Sequence, residues 1–221
     1  MRLCITLSFG LLAGALPLAS RAQTTETAPL PRYYAGLGVY QFPVSGTLAP
    51  VVPTFGLQFR PRWAVQASVV FRPQRYDYAY NYTYYDAPSG AQGQYRTTLY
   101  SGTDRSRSLA IPVLVRYTLT RRQEHRFQAD LLGGVTWLRQ SYRSEEHIVD
   151  PAQGTDVYTE QDGAYHTLYL TLGPSLRYRI WKGLEATGEL TYQLAMVDPN
   201  GWNGRRVDGN VSAGLRYRFG D

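Results

Sequence analysis

SLAIPVLVRYTL, running from Ser108 to Leu119, places Leu109, Ile111, Val113, Val115, Tyr117 and Leu119 on one parity. Ser108, Ala110, Pro112, Leu114, Arg116 and Thr118 occupy the other. Side chains along a strand point alternately to opposite faces, so a period of two marks one strand lying between two different environments. Trp63, Val65, Ala67, Val69 and Phe71 do the same against Ala64, Gln66, Ser68 and Arg72. Leu168, Leu170, Leu172, Leu176, Tyr178 and Ile180 oppose Thr167, Thr171, Ser175, Arg177 and Arg179. Leu184, Ala186, Leu190, Tyr192 and Leu194 oppose Glu185, Thr187, Glu189, Thr191 and Gln193. A last segment sets Val211, Ala213, Leu215, Tyr217 and Phe219 against Asn210, Ser212, Arg216 and Arg218.

Fainter alternation runs through Tyr33–Phe42, Thr54–Arg60 and Phe127–Trp137, with Leu132 and Leu138 blurring the last. The total is eight strands. Their connections alternate in length: 61–62, 120–126 and 181–183 are short, whereas 43–53, 73–107, 139–166 and 195–208 are long. An even strand count with short turns at one end and long loops at the other predicts an all-β, eight-stranded antiparallel up-and-down transmembrane β-barrel. Lipid cannot satisfy backbone amides, so a membrane sheet must close on itself.

A soluble barrel or sandwich would also alternate, with its apolar parity turned inward. Two features favour lipid. Arg and Glu crowd the polar parity among small residues, and aromatic residues gather near strand ends as two girdles. One girdle comprises Tyr33, Tyr34, Trp63, Tyr117, Phe127, Tyr178, Trp181, Tyr217 and Phe219. The other comprises Tyr40, Phe42, Phe71, Trp137, Tyr142, Tyr165, Tyr192 and Trp202.

Composition agrees with a β-rich chain: 221 residues carry 19 Tyr and 21 Gly, and only 18% are charged. Cys4 is the single cysteine, which rules out a disulfide framework or a cysteine-rich zinc site. Arg2, the uncharged run Leu3–Leu18 and Ser20-Arg21-Ala22 predict a signal peptide over 1–22, cut before Gln23. A short polar lead over 23–32 and a barrel domain over 33–221 follow. Cleavage leaves 21 basic against 17 acidic residues, a modest net +4 with no basic run, so no nucleic-acid partner is expected.

Ile111-Pro112-Val113-Leu114-Val115-Arg116-Tyr117 resembles a strand of small outer-membrane β-barrel proteins related to OmpX and the OmpA transmembrane domain, often called porin-family proteins. Gly214-Leu215-Arg216-Tyr217-Arg218-Phe219 resembles their C-terminal assembly signal, with Leu215, Tyr217 and Phe219 as its apolar positions. Here Gly220-Asp221 follow the aromatic residue on which that pattern usually ends. The resemblance implies a bacterial outer-membrane location, contact with outer-membrane lipid and lipopolysaccharide, the barrel-assembly machinery as a partner during biogenesis, and a monomer. No cofactor or metal is implied.

Eight strands leave an interior that side chains can fill. The inward parity offers Arg60, Arg72, Arg116, Arg177, Arg179, Arg216 and Arg218 against Asp130, Glu185 and Glu189. A hairpin about 181–183 makes Arg179 and Glu185 direct cross-strand partners, and Arg116 lies within one register step of Asp130. Opposite charges across strands support one another and must be paired away from water. A charge-paired plug is the expectation; an anion-selective pore is its rival, because Arg outnumbers acid.

In the loop 73–107, Tyr76, Tyr78, Tyr80, Tyr82 and Tyr84 alternate strictly, so one ribbon face carries all five. They read as an adhesive or glycan-stacking surface, or as strands continuing above the membrane to a tip at Pro88-Ser89-Gly90. No hydrolase, zinc-protease or phosphate-loop motif occurs. The leading function is a non-enzymatic outer-membrane protein for envelope integrity or surface contact. The first alternative is a lipid A-modifying barrel using His166 with Ser141 or Glu160. The second is a secreted soluble ligand-binding barrel.

Overall fold

The computed structural model describes residues 31–41, 48–86, 93–120, 125–196 and 207–219. The expected signal peptide, most of the polar lead, Phe42, the Pro88-Ser89-Gly90 tip, Trp202 and Gly220-Asp221 lie outside those residues. The strands are β1 (Arg32–Gln41), β2 (Leu48–Arg60), β3 (Trp63–Ser68), β4 (Val70–Asp86), β5 (Gln94–Thr118), β6 (Phe127–Asp150), β7 (Thr155–Arg179), β8 (Leu184–Ala195) and β9 (Val207–Arg218).

Every pairing is antiparallel between chain neighbours, β9 returns to β1, and β3 pairs with β5. The sheet therefore closes. Nine segments make eight barrel strands because β3 and β4 are one strand in register: Ala67 faces Val113 and Val70 faces Ala110. Between them the partner strand holds Pro112, which has no amide hydrogen to complete the ladder. This is an up-and-down barrel of eight strands.

The short connections match the sequence reading. Gly183, at φ 72°, makes the turn between β7 and β8, where Cβ-bearing residues are strained. The long connections match it in part: 73–107 is the continued hairpin that the tyrosine alternation allowed, whereas the loops expected at 139–166 and 43–53 are partly strand. Residues 73–107 and 139–166 are chiefly strand, because β4 runs to Asp86, β5 starts at Gln94, β6 reaches Asp150 and β7 starts at Thr155. Likewise β2 begins at Leu48, inside the expected 43–53 loop. β5 and β7 each have 25 residues, roughly 80 Å of extended chain, about twice what a bilayer crossing uses. Four strands thus project as a sheet beyond the closed part of the barrel.

Facing follows parity. Val113 and Leu172 are 43% and 51% exposed on the outside, whereas Arg116 and Asp130 are 2% and 1% exposed inside. The exterior band runs from Tyr117 to Leu109 on β5, Phe127 to Trp137 on β6, and Tyr178 to Leu168 on β7. It continues round β8, β9, β1, β2 and β3, and inside its aromatic turn-end ring, where Arg60 faces Trp63, not one outward side chain among the described residues is charged. A polar interior with an apolar exterior is the reverse of a soluble barrel and is the architecture of a transmembrane one. Tyr33, Trp63, Tyr117, Phe127, Tyr178, Tyr217 and Phe219 ring the turn end of this band. Tyr34, Tyr40, Tyr142 and Tyr165 are expected in the girdles but sit on the inward parity, Tyr34 and Tyr40 buried.

Candidate functional site

The interior is layered. At the turn end, neighbouring strands bring arginines and acids to one level by their parity and register. Arg116 Nη1 donates to Asp130 Oδ2 at 2.7 Å and to Ser175 Oγ at 3.0 Å. Its Nη2 donates to Glu189 Oε1 at 2.6 Å and to Gln66 Oε1 at 2.5 Å. Arg177 donates to both Asp130 oxygens, at 2.5 and 2.6 Å, and to Thr118 Oγ1 at 2.8 Å. Asp130 is therefore clamped between two guanidiniums.

Glu185 forms the second node. Arg216 donates to it through Nε at 2.7 Å and Nη2 at 2.6 Å, and Arg177 and Arg218 approach it to 3.7 Å. Arg216 also lies over the Tyr34 ring, 4.3 Å from its centroid, a cation–π contact that shields the inner wall. Buried charges are tolerated only when paired and hydrogen-bonded; every charge of this cluster is paired, while Arg116 Nε and Arg216 Nη1 are buried without a hydrogen-bond partner among the described residues.

Above it lies a hydroxyl and amide layer: Thr136 and Thr171 share a bond of 2.8 Å, and Gln193 Nε2 donates to Tyr40 Oη at 3.2 Å. A cavity of about 50 Å³ separates the charged floor from what lies above, bounded by Gln66, Arg116 and Glu189 below and by Tyr40, Val52 and Val70 above. That holds a few waters at the roughly 10–15 Å³ each requires. Higher still, Tyr40, Ala49, Val52, Val70, Ala110 and Leu138 form an apolar cluster inside the barrel, with Tyr169 packed against it.

The expected charge set divides accordingly. Arg116, Asp130, Arg177, Glu185, Glu189 and Arg216 come together, with Arg218 at the margin. Arg179 does face Glu185 in register, as the tight turn requires, while the nearest bonds to that carboxylate come from Arg216. Arg60 is exposed and outside the cluster, because a register shift between Gln58 and Arg60 displaces it from the inward row. Arg72 is buried but lies beyond the apolar layer, opposite Ser108. Gln66 is the hub that charge counting misses: it accepts from Arg116 and donates to Glu189 at 3.3 Å. Its only signal is its place on the inward parity of β3.

The tyrosine row continues the inward parity of Arg72 up the projecting sheet. Tyr76–Tyr78, Tyr78–Tyr80 and Tyr82–Tyr84 stack at 6.1–6.2 Å, and Tyr80 stacks on its cross-strand partner Tyr100 at 5.0 Å and 7°. Tyr78 lies over Gly102, where a Cβ would come within 2.6 Å of the ring. On the other face, Thr103 and Arg75 hydrogen-bond Asp77 and hold its carboxyl below the usual carboxylate range. A double change, Tyr80→Ala with Tyr100→Ala, removes a stacked pair of about 0.5–1.5 kcal/mol. Faster tryptic cleavage at Arg96 and Arg105, with unchanged gel mobility of the folded barrel, is the expected result. Unchanged cleavage would mean the stacking does not hold the hairpin.

The three residues considered for lipid chemistry are not assembled. His166 stacks on Trp137 at 5.6 Å, and among the described residues it makes no hydrogen bond to Ser141 or Glu160. Glu160 lies six residues away along the same strand, roughly 20 Å, and pairs with Arg143 at 2.8 Å. At the end of the chain, Leu215, Tyr217 and Phe219 all point outward, and Phe219 N donates to Tyr33 O at 2.8 Å, which closes the barrel seam.

No family model matches the chain, and no curated protein matches it. Among solved structures it is similar to a major outer membrane protein from Thermus thermophilus, at 16% identity over 86% of this chain and 100% of that one, with a TM-score of 0.46. It is similar to the N-terminal β-barrel domain of Pseudomonas aeruginosa OprF, at 9% identity over 86% and 98%, TM-score 0.42. The outer membrane protein OprG from Pseudomonas aeruginosa matches at 12% identity over 87% and 98%, TM-score 0.40. The closed barrel itself stands on this chain's own strand pairing.

Proposed function

We propose that the chain is an integral protein of the bacterial outer membrane, non-enzymatic and monomeric. Its lumen is closed by a charge-paired plug, and its projecting sheet serves surface contact or envelope integrity. The observation that carries this reading is the exterior band, uncharged on all eight strands inside its aromatic turn-end ring and wide enough for a bilayer crossing at the usual ~35–45° strand tilt. Both described chain ends and the short turns share one end, which the reading places in the periplasm, leaving the long hairpins outside the cell. Leu215, Tyr217 and Phe219 then serve as the signal for the barrel-assembly machinery.

Plug rather than pore follows from two layers. The turn-end level is filled by bonded charges, and the level near the hairpins is filled by Val52, Val70 and Leu138. Heat-modifiable mobility in isolated outer membranes, combined with planar-bilayer recording, tests the reading. The folded chain is expected to migrate anomalously until boiled and to show no stably open conductance above baseline. Partition into the aqueous phase without detergent would overturn the membrane assignment, and a stable open channel would overturn the plug.

A further inference from the structure

The outward rows immediately above the uncharged band are not uniform. On β5 the outward residue after Leu109 is Arg107, followed by Arg105; on β6 the outward residue after Trp137 is Arg139. Arg107 faces Ser141 and Arg139 faces Leu109, so these two arginines are diagonal neighbours on adjacent strands. Arg105 faces Arg75 on one side and Arg143 on the other, three like charges in one line across three strands, and the line ends on β7 at Asp162 opposite Arg143. Like charges directly opposite oppose pairing of the sheet.

Part of that repulsion is met within the chain. Arg75 bonds Asp77 at 3.0 Å, and Arg143 bonds Glu145 at 2.9 Å and Glu160 at 2.8 Å. Arg105, Arg107 and Arg139 are exposed, and among the described residues no ion pair reaches them. They sit where the exterior changes from apolar to polar, with Phe71, Leu109 and Trp137 below. Among the described residues at the turn end, the outward row next to the band holds Leu119 and Ile180.

The geometry points to a binding site for the phosphorylated headgroup of an outer-leaflet glycolipid at Arg105, Arg107 and Arg139. Guanidinium forks match phosphate oxygens and are less strongly hydrated than ammonium groups. A headgroup phosphate at this height would pair with Arg105, Arg107 and Arg139 while its acyl chains cover Leu109 and Trp137. A soluble anion would satisfy the charge but not the apolar surface beneath it, so the occupant is an amphiphile. This inference rests on the membrane reading above and names the lipid that reading brings into contact.

The test uses the full chain folded in micelles, with gel mobility verifying the barrel, and compares three probes. These are bisphosphorylated lipid A, its dephosphorylated form, and inorganic pyrophosphate. The triple variant Arg105→Gln, Arg107→Gln, Arg139→Gln should weaken bisphosphorylated lipid A by roughly 100-fold, about fivefold per arginine. Removing the same net charge at the other end, with Arg62→Gln, Arg126→Gln and Lys182→Gln, should change it less than about twofold. The unaltered protein should prefer the phosphorylated lipid, lose that preference as salt rises, and resist displacement by pyrophosphate.

Equal losses in the two triple variants, no preference between the two lipids, or displacement by pyrophosphate at matching concentration would each overturn the site. The lipid comparison needs no variant, so a folding failure leaves the test intact. A barrel that inserts into bilayers but ignores the phosphates sinks this inference alone. A chain that does not insert sinks the membrane reading.

Discussion

Leu172→Arg is expected to destabilise the barrel in bilayer vesicles by about 2–4 kcal/mol, because it sets a guanidinium near the middle of the hydrocarbon-facing band. Leu172 is 51% exposed, on the outside of β7 between Gly133 and Tyr192. The physical content lies in the contrast. At an exposed site on a soluble barrel the same replacement would stay within roughly ±0.5 kcal/mol. Ala164→Arg, also outward on β7 but above the band, supplies the control and should cost little. Urea unfolding followed by gel mobility gives both numbers. If Leu172→Arg and Ala164→Arg behave alike, the outside of the barrel faces water and the membrane assignment fails.

How far such behaviour is legible in the sequence depends on which residues are asked. Parity alone locates the strands through the band, because there the two environments differ most: Val113 and Leu172 outside, Arg116 and Thr171 inside. The same rule speaks in 73–107 only through the tyrosine row from Tyr76 to Tyr84, and it is silent about 139–166. Beyond the band both faces meet water, so Glu145 and Glu146 give no apolar rhythm even though the backbone stays extended. Leu132 and Leu138 blur the β6 pattern for a concrete reason: both point inward and are buried, Leu138 in the apolar interior layer.

Height is the other loss. Parity assigns a face but not a level, so Arg72 and Arg116 look equivalent although the apolar layer separates them. Register is readable where a tight turn fixes it, as for Arg179 opposite Glu185, and unreadable where a bulge intervenes, as before Arg60. Tyr33 and Tyr34 are adjacent aromatics, and only one can face lipid. Arg216 stacked on Tyr34 identifies it as the inner one.

Asp130→Ala carries the largest expected cost inside the barrel. Its carboxylate is fully enclosed and takes bonds from Arg116 and Arg177, whose side chains are 3% and 8% exposed. Removing it leaves two buried cations facing the same gap, and breaking one partner out of a buried ion pair costs about 3–5 kcal/mol. Arg116 would keep Glu189 at 2.6 Å, but Arg177 would retain only Thr118 and a 3.7 Å approach to Glu185. Arg177 is therefore the stranded charge. Adding Arg177→Met to Asp130→Ala should recover a large part of the loss, since deleting both members of a buried pair is far milder than deleting one. Urea unfolding of the two single variants and the double variant in vesicles closes the cycle. Losses that simply add, with no recovery in the double variant, would show that Asp130 and Arg177 do not depend on one another, and the charge-paired floor of the lumen would have to be abandoned.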